Sequence, residues 1–330
     1  METGINCDGW LLTSSASGQN GWSMTVLKPR ALRPGDTVMM VSPASPLSEN
    51  RLVAITRLLE NEGYRVKVAP HALDSCDYLA GLDQDRAADL MSAFDDPDVQ
   101  AVLCTRGGYG CARLLPFLDL DRIAGSNKMF LGFSDITTLH VALNRRGLVT
   151  YHAPMALTLS YDREPWVYES FLRCLRGEDP YAVPAPKATT ITRGKAQGKT
   201  VGGCLCLLAD TLGTPDALET EGKILVIEDV DEAPHRLDAM LTHLRNAGLL
   251  QRAAGIVFGE MTRSEEHVEE SIGARPWREI LIDRVSDLRI PAMLDFPFGH
   301  MRTMLTIPLG VNTELDADQG TLRLLETPCA

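Results

Sequence analysis

Short apolar runs of strand length alternate along the first half of this chain with longer segments in which apolar residues recur every three or four positions. Residues 37–42 form such a run, entered through the Pro-Gly turn at Pro34 and Gly35, and read as a first strand. Ser48 then precedes a stripe of Leu52, Ile55 and Leu59 that stops at Gly63, which is the order of an N-cap, a helical face and a C′ glycine. Residues 64–68 read as the second strand. The alternation continues with a helix over 84–94, a strand over 101–104, a helix over 111–118, a strand over 129–133 and a helix over 136–146. Parallel neighbours need a crossover between them, so this alternation predicts an α/β fold on a doubly wound parallel sheet.

The pattern breaks at Arg176. Residues 177–197 hold three prolines, two glycines and few large apolar side chains, and read as a linker between a first domain over 24–176 and a second over 198–330. The second domain carries an apolar run at 224–227, a helix with Leu237, Met240, Leu241 and Leu244 on one face, a further run at 255–258, and short β-like runs between turns over 304–325. A mixed α/β unit is expected there. Residues 1–23 are rich in Gly, Ser, Asn and Thr without periodicity and read as a disordered tail.

Composition narrows the function classes. The chain has 330 residues, 45% of them hydrophobic, enough for two cores. Lys plus Arg is 32 against 44 for Asp plus Glu, a formal charge of −12, which argues against a nucleic-acid or anionic-membrane partner. The longest apolar runs fall short of a membrane span, and the N-terminus lacks the basic flank and apolar core of a secretory signal. The eight cysteines sit mostly within apolar stretches, so reduced thiols and a cytoplasmic setting are expected. Cys204 and Cys206 lie two apart without a second pair at zinc spacing; neither a metal nor a cofactor is expected.

Functional groups of open α/β sheets gather beyond the carboxyl ends of the strands. TRGGYG at 105–110 follows a strand and precedes a helix. It reads either as an amide cradle for a negative oxygen or as a tight turn that needs glycines. At GFSD, 132–135, Ser134 is either a nucleophile on a sharp turn, with the Asp135 amide beside it, or a helix cap. A nucleophilic serine needs a base and the base an orienting acceptor. Among the histidines, His140, His243 and His267 fall on predicted helices, whereas His300 follows the turn FPFG and precedes an apolar strand. Glu228 and Asp229 end the buried run at 224–227, where a charge requires a partner. Each also has a plain structural use, Glu228 as an ion-pairing carboxylate and His300 as a packed ring.

Seven motifs in order, LRPGD at Leu32, YLAGLDQDRAADL at Tyr78, TRGGYGCARLL at Thr105, GFSDITTLH at Gly132, GG-x-L at Gly202, ILVIEDVDEAP at Ile224 and FPFGHMRTMLTIPLG at Phe296, make the chain resemble the LD-carboxypeptidase family of serine peptidases, which includes the microcin-C immunity peptidases. The resemblance implies a flavodoxin-like or glutaminase-like N-terminal domain that carries the nucleophile and a C-terminal domain that supplies the rest of a Ser-Glu-His triad. These positions correspond to Ser134, Glu228 and His300, with Glu232 the second choice of carboxylate and the amides of Gly108 and Asp135 as oxyanion donors. The implied activity is release of terminal D-alanine from muropeptide tetrapeptides in cell-wall recycling, by a homodimer. Arg106 and Arg302 are the candidates for the substrate carboxylate, and Tyr109 with residues 152–155 for the pocket wall.

Three positions depart from the family pattern. Cys204 stands where GGNL has an amide, Ala153 where HGPM has glycine, and His235 where a tyrosine is usual. The alternative activity is that of the immunity branch, cleavage of a peptidyl-nucleotide conjugate, for which Trp166 and Tyr168 are the available aromatics near the pocket segment. An inactive muropeptide sensor is the third reading, and the intact Ser134, Glu228 and His300 count against it.

Overall fold

The computed structural model describes residues 26–268, 271, 273 and 275–330; the tail read over 1–23 lies outside them. In the first half, β1 (Thr37–Val41), β2 (Arg65–Val68), β3 (Val99–Cys104), β4 (Met129–Gly132) and β5 (Thr150–His152) alternate with helices. They lie in the order β5-β4-β3-β1-β2, all parallel. Side chains of one strand alternate between the two faces: Met39 and Val41 enter one apolar cluster, Val38 and Met40 the other. Both faces are covered, as a parallel sheet requires. The strand order reverses between β1 and β3, so the loops that leave them diverge to opposite faces and open a crevice at their carboxyl ends.

Two of the expected helices differ in kind. The segment read as a helix over 111–118 is a 3-10 helix, Cys111–Phe117, with Pro116 inside it; proline has no amide to sustain an α-helical ladder. The segment read over 136–146 opens with a 3-10 turn, Ser134–Ile136, and becomes α-helical at Thr137–Asn144. The helix over 84–94 is present as Asp83–Asp95.

The second half contributes β6 (Thr189–Thr192), β7 (Lys195–Cys204), β8 (Ile224–Val230), β9 (Gly255–Thr262), β10 (Ala292–Leu294), β11 (Ile307–Leu309), β12 (Asn312–Asp316) and β13 (Thr321–Leu324). A mixed sheet runs β13-β12-β7-β8-β9-β10-β6, parallel from β7 to β10 and antiparallel at both edges. The helix Pro234–Asn246 buries Leu237, Met240, Leu241 and Leu244 against it. Within the stretch read as a linker, β6 and the start of β7 are ordered strands. Their sequence TTITRGKAQ is poor in large apolar residues because both segments lie toward the exposed margin of the sheet, where β-branched threonine suffices.

The two units are tied by more than one crossing. β11 leaves the second half and pairs antiparallel with β5 of the first sheet. Tyr151 of β5 donates its hydroxyl to the Pro328 carbonyl at 2.9 Å. Thr137 Oγ1, on the helix after Ser134, accepts the Cys204 amide at 3.0 Å. No helix among the described residues is long and apolar enough to cross a membrane.

Candidate active site

β4 delivers the chain to Ser134 through an extended Phe133, and Ser134 itself adopts φ +66°. A left-handed conformation at a non-glycine residue costs roughly 1–2 kcal/mol, and here it turns the hydroxyl out of the sheet. The turn is crowded: a Cβ on Gly107 would lie 2.7 Å from the Ser134 Cβ, and one on Gly132 would lie 2.9 Å from Ile136. These glycines exist so that the serine can be presented. Phe133 occupies the cap position of the following turn, and the Ser134 hydroxyl bonds elsewhere.

That partner is His300. Its Nε2 lies 2.9 Å from Ser134 Oγ, and its Nδ1 lies 2.7 Å from Glu228 Oε2. The His300 amide also donates to Glu228 Oε2, at 3.2 Å. Gly299, at φ +102°, brings the loop this close, since a Cβ there would sit 2.5 Å from the same carboxylate oxygen. Phe133 packs on the His300 ring with centroids 4.8 Å apart. The second oxygen of Glu228 faces His152 Nε2 at 3.5 Å. Burial would by itself raise the Glu228 carboxyl, but the His300 charge and the hydrogen bonds from both imidazoles prevail and bring it down to about 2. Burial works in the opposite direction on His300, and the Glu228 carboxylate outweighs it, so the imidazole stands above its ordinary value of 6.5. Glu232, the second choice of carboxylate, faces Arg236 at 3.7 Å, and the His300 ring bonds to Glu228 and Ser134 instead.

The glycine loop after β3 stands over this hydroxyl. The Gly108 amide has no acceptor among the described residues, and Asp135 lies in the first turn after Ser134, where amides lack intrahelical acceptors. Ser45, from the loop after β1, fixes the position: its amide donates to the Gly107 carbonyl at 3.4 Å and its hydroxyl accepts the Tyr109 amide at 3.3 Å. The fully buried Arg86 guanidinium donates to the Pro43 and Gly110 carbonyls. Arg86 was invisible as a site residue in the sequence, because nothing in YLAGLDQDRAADL distinguishes a buried arginine from a surface one. The Asp135 carboxylate accepts the Cys111 amide at 2.8 Å and joins the two loops.

Two cavities meet at Gly108. One, of about 390 Å³, is lined by Ser134, His300, Met155 and three arginines, Arg106, Arg163 and Arg263. The other, of about 470 Å³, is lined by Tyr109, Asp135, Cys206, Asp210, Glu232 and Arg236, among others. Arg106 thus lines the same cavity as Ser134 and His300. Arg302 does not line either cavity: its side chain is exposed, and its carbonyl accepts Arg163 Nη1 at 2.6 Å. Arg163 lines the first cavity, its Nε held 3.1 Å from the Thr158 carbonyl. It was missed because no motif contains it. Of the pocket segment 152–155, Met155 reaches the cavity and His152 is buried behind it. Trp166 packs partly buried against two of the apolar clusters, and Tyr168 Oη donates to the Tyr161 carbonyl at 2.6 Å. His140 is buried with Nε2 2.9 Å from the Gly132 carbonyl, and burial drives it down to about 3.

Cys204 ends β7 beside Glu228 of β8. Its thiol lies 3.4 Å from Asp229 Oδ1 and 3.5 Å from the Cys206 sulfur. Burial first, and then the neighbouring Glu228 charge, push Asp229 up to about 7. The two cysteines expected to bind no metal thus have a third donor group that only the fold brings to them.

The two halves match models of known domains. Residues 38–153 match the LD-carboxypeptidase N-terminal domain and residues 197–315 the LD-carboxypeptidase C-terminal domain. A putative carboxypeptidase of Streptomyces coelicolor is 42% identical over 305 residues, covering 91% of this chain and 96% of that protein. A probable murein peptide carboxypeptidase of Bacillus subtilis is 37% identical, covering 89% and 93%. Among solved structures, the microcin C7 self-immunity protein MccF in complex with glutamyl sulfamoyl guanosine superposes with a TM-score of 0.81 at 24% identity, covering 92% of this chain and 100% of that one. At that identity the likeness concerns the fold.

Proposed function

This chain belongs to the LD-carboxypeptidase family of serine peptidases, and from that premise we propose that it hydrolyses the L,D-peptide bond that releases terminal D-alanine from muropeptide tetrapeptides, with Ser134 as nucleophile, His300 as base and Glu228 as orienting carboxylate. The observation that carries the reading is the continuous hydrogen-bonded line from Ser134 Oγ through both nitrogens of His300 to a buried Glu228. His300 takes the serine proton as the hydroxyl attacks the scissile carbonyl. Glu228 holds the imidazole with Nδ1 protonated and stabilises the imidazolium. The oxyanion forms within reach of the Gly108 and Asp135 amides, and His300 returns the proton to the departing D-alanine nitrogen. Water then attacks the acyl-enzyme by the same route.

The two cavities divide the substrate by charge. The free D-alanine carboxylate goes to the arginine-lined side, where the Nη2 groups of Arg106 and Arg163 have no acceptor among the described residues. The amine of a lysine or diaminopimelate at the third stem position goes to the side with Glu232 and Asp210. The reading carries with it a cytoplasmic setting, in keeping with described cysteines that are all free of disulfides, and a homodimer, which sedimentation of the purified protein tests.

The deciding experiment incubates the protein with a muropeptide tetrapeptide ending in D-alanine, beside an L-alanine-terminated control and a Ser134→Ala variant, with release read by mass. Release of D-alanine alone, abolished by the substitution, is the expected result. Labelling of Ser134 by a serine-directed probe without D-alanine release would overturn the substrate assignment and leave the serine chemistry standing, which favours a peptidyl-nucleotide substrate.

A further inference from the structure

We propose that Cys204, Cys206 and Asp229 form a binding site for one thiophilic d¹⁰ cation of the Zn²⁺ and Cd²⁺ type, in the wall of the cavity next to Glu228. The donor atoms of the three residues all lie within 4.8 Å of one another. A tetrahedral zinc with Zn–S near 2.3 Å and Zn–O near 2.0 Å needs sulfurs about 3.8 Å apart and sulfur–oxygen separations of about 3.5 Å. The two sulfurs stand at 3.5 Å, and the Cys204 sulfur stands 3.4 Å from Asp229 Oδ1. These two separations match a tetrahedral ion to within a few tenths of an ångström, and the third pair, Cys206 and Asp229, lies within the 4.8 Å that a rotation of the partly exposed Cys206 side chain can close.

The arrangement is held by backbone. Cys204 closes β7 and Cys206 lies in the first turn of the helix Leu205–Asp210, so the strand-to-helix junction brings both thiols together. Asp229 is oriented in turn, with the Cys206 amide on Oδ2 at 2.9 Å and the Val230 amide on Oδ1 at 2.7 Å. Such supporting bonds to a ligating carboxylate are what a metal site requires. Access is open on one side: Cys204 and Asp229 are buried, but Cys206 is partly exposed and lines the cavity of about 470 Å³. That cavity supplies an entry path and a water for the fourth position. A second observation points the same way. Two successive buried carboxylates occupy β8, and Glu228 is served by two imidazoles, whereas Asp229 is bonded to amides and a thiol and has no cationic partner among the described residues. A bound cation supplies that missing charge. Binding releases the two thiol protons to solvent, and the soft donor pair excludes Mg²⁺ and Ca²⁺.

The test is a Cd²⁺ titration of the full chain carrying Cys7→Ser and Cys76→Ser, kept reduced with a phosphine, and followed by thiolate-to-cadmium charge-transfer absorbance. Saturation at one equivalent is expected, with displacement by Zn²⁺ and none by excess Mg²⁺. Adding Cys206→Ser, a conservative change at a partly exposed position, is expected to cut the absorbance by about half and weaken binding at least about 10-fold. Absence of a saturable signal, saturation unaltered by Cys206→Ser, displacement by Mg²⁺, or a Cys204–Cys206 disulfide that survives the phosphine would each overturn the site. None of these readouts depends on the substrate.

Discussion

Glu228 lies in the interior of a sheet, where burial opposes its charge, and it stays ionised because His300 and His152 approach it from two sides. Its folded-state value of about 2 is below the ordinary 4.5, so the carboxylate stabilises the fold above that ordinary range, and the contribution is lost as pH falls toward 2. For His300 the sign reverses: its value is raised above 6.5, so its pairing stabilises fully below 6.5 and fades as pH rises through the folded value. Catalysis needs the neutral imidazole. The acidic limb of kcat/KM is therefore expected to have its midpoint above 6.5. Glu228→Gln should lower kcat on the order of 10³ to 10⁴ and move that midpoint down; a profile with an unmoved midpoint would contradict the coupling. His152 touches Glu228 and not the hydroxyl, so it is a positioning residue. Removing a hydrogen bond to a charged group costs about 1.5–3 kcal/mol. His152→Phe, which keeps a ring but has no donor, should accordingly cut kcat roughly 10- to 100-fold with little change in KM, as steady-state rates can check.

Three loops and a strand end converge on one hydroxyl, and their approach depends on missing side chains as much as on the groups present. Gly107 clears Ser134, and Gly299 lets the loop after β10 press His300 against Glu228. Gly299→Ala puts a methyl group within 2.5–2.7 Å of the Glu228 side chain at a φ of +102°. The loop must then move, and with it the imidazole. A misplacement of about 1 Å costs on the order of 10² in rate, so the variant should lose that much kcat while its far-ultraviolet circular dichroism stays unchanged. The helix over 84–94 and the one that carries Leu237, Met240, Leu241 and Leu244 were legible in the sequence because their apolar stripes repeat at helical spacing. The 3-10 character of Cys111–Phe117 was not, because an apolar stripe of seven residues has the same look in either helix and only Pro116 hints at the difference.

At the scale of the whole molecule the chain does not divide cleanly at 177–197. β11 closes one edge of the first sheet, and Tyr151 in β5 anchors to Pro328 near the C-terminus. A fragment ending at residue 197 is expected to lack cooperative unfolding in denaturant, since it leaves the edge of β5 and the buried Tyr151 hydroxyl without partners; a sharp two-state transition would show instead that the first half folds alone. The amino-acid sequence by itself determined the alternation of strands and helices and the parallel character of the first sheet, because hydrophobic period and local turn chemistry are short-range properties written into neighbouring residues; it marked Ser134, His300 and the pair Glu228 and Asp229 as candidates, and the choice of Ser134, Glu228 and His300 came from the ordered motifs of the family resemblance. It did not determine that Arg163 replaces Arg302 at the cavity, that Arg86 and Ser45 hold the glycine loop, that His152 shares Glu228, or that Asp229 meets Cys204 and Cys206. Those pairings join residues of which several are separated by scores of positions, and what brings them within bonding distance is strand register and the crossing of two sheets. Periodicity cannot encode that information, since it belongs to the packing of elements rather than to any one of them.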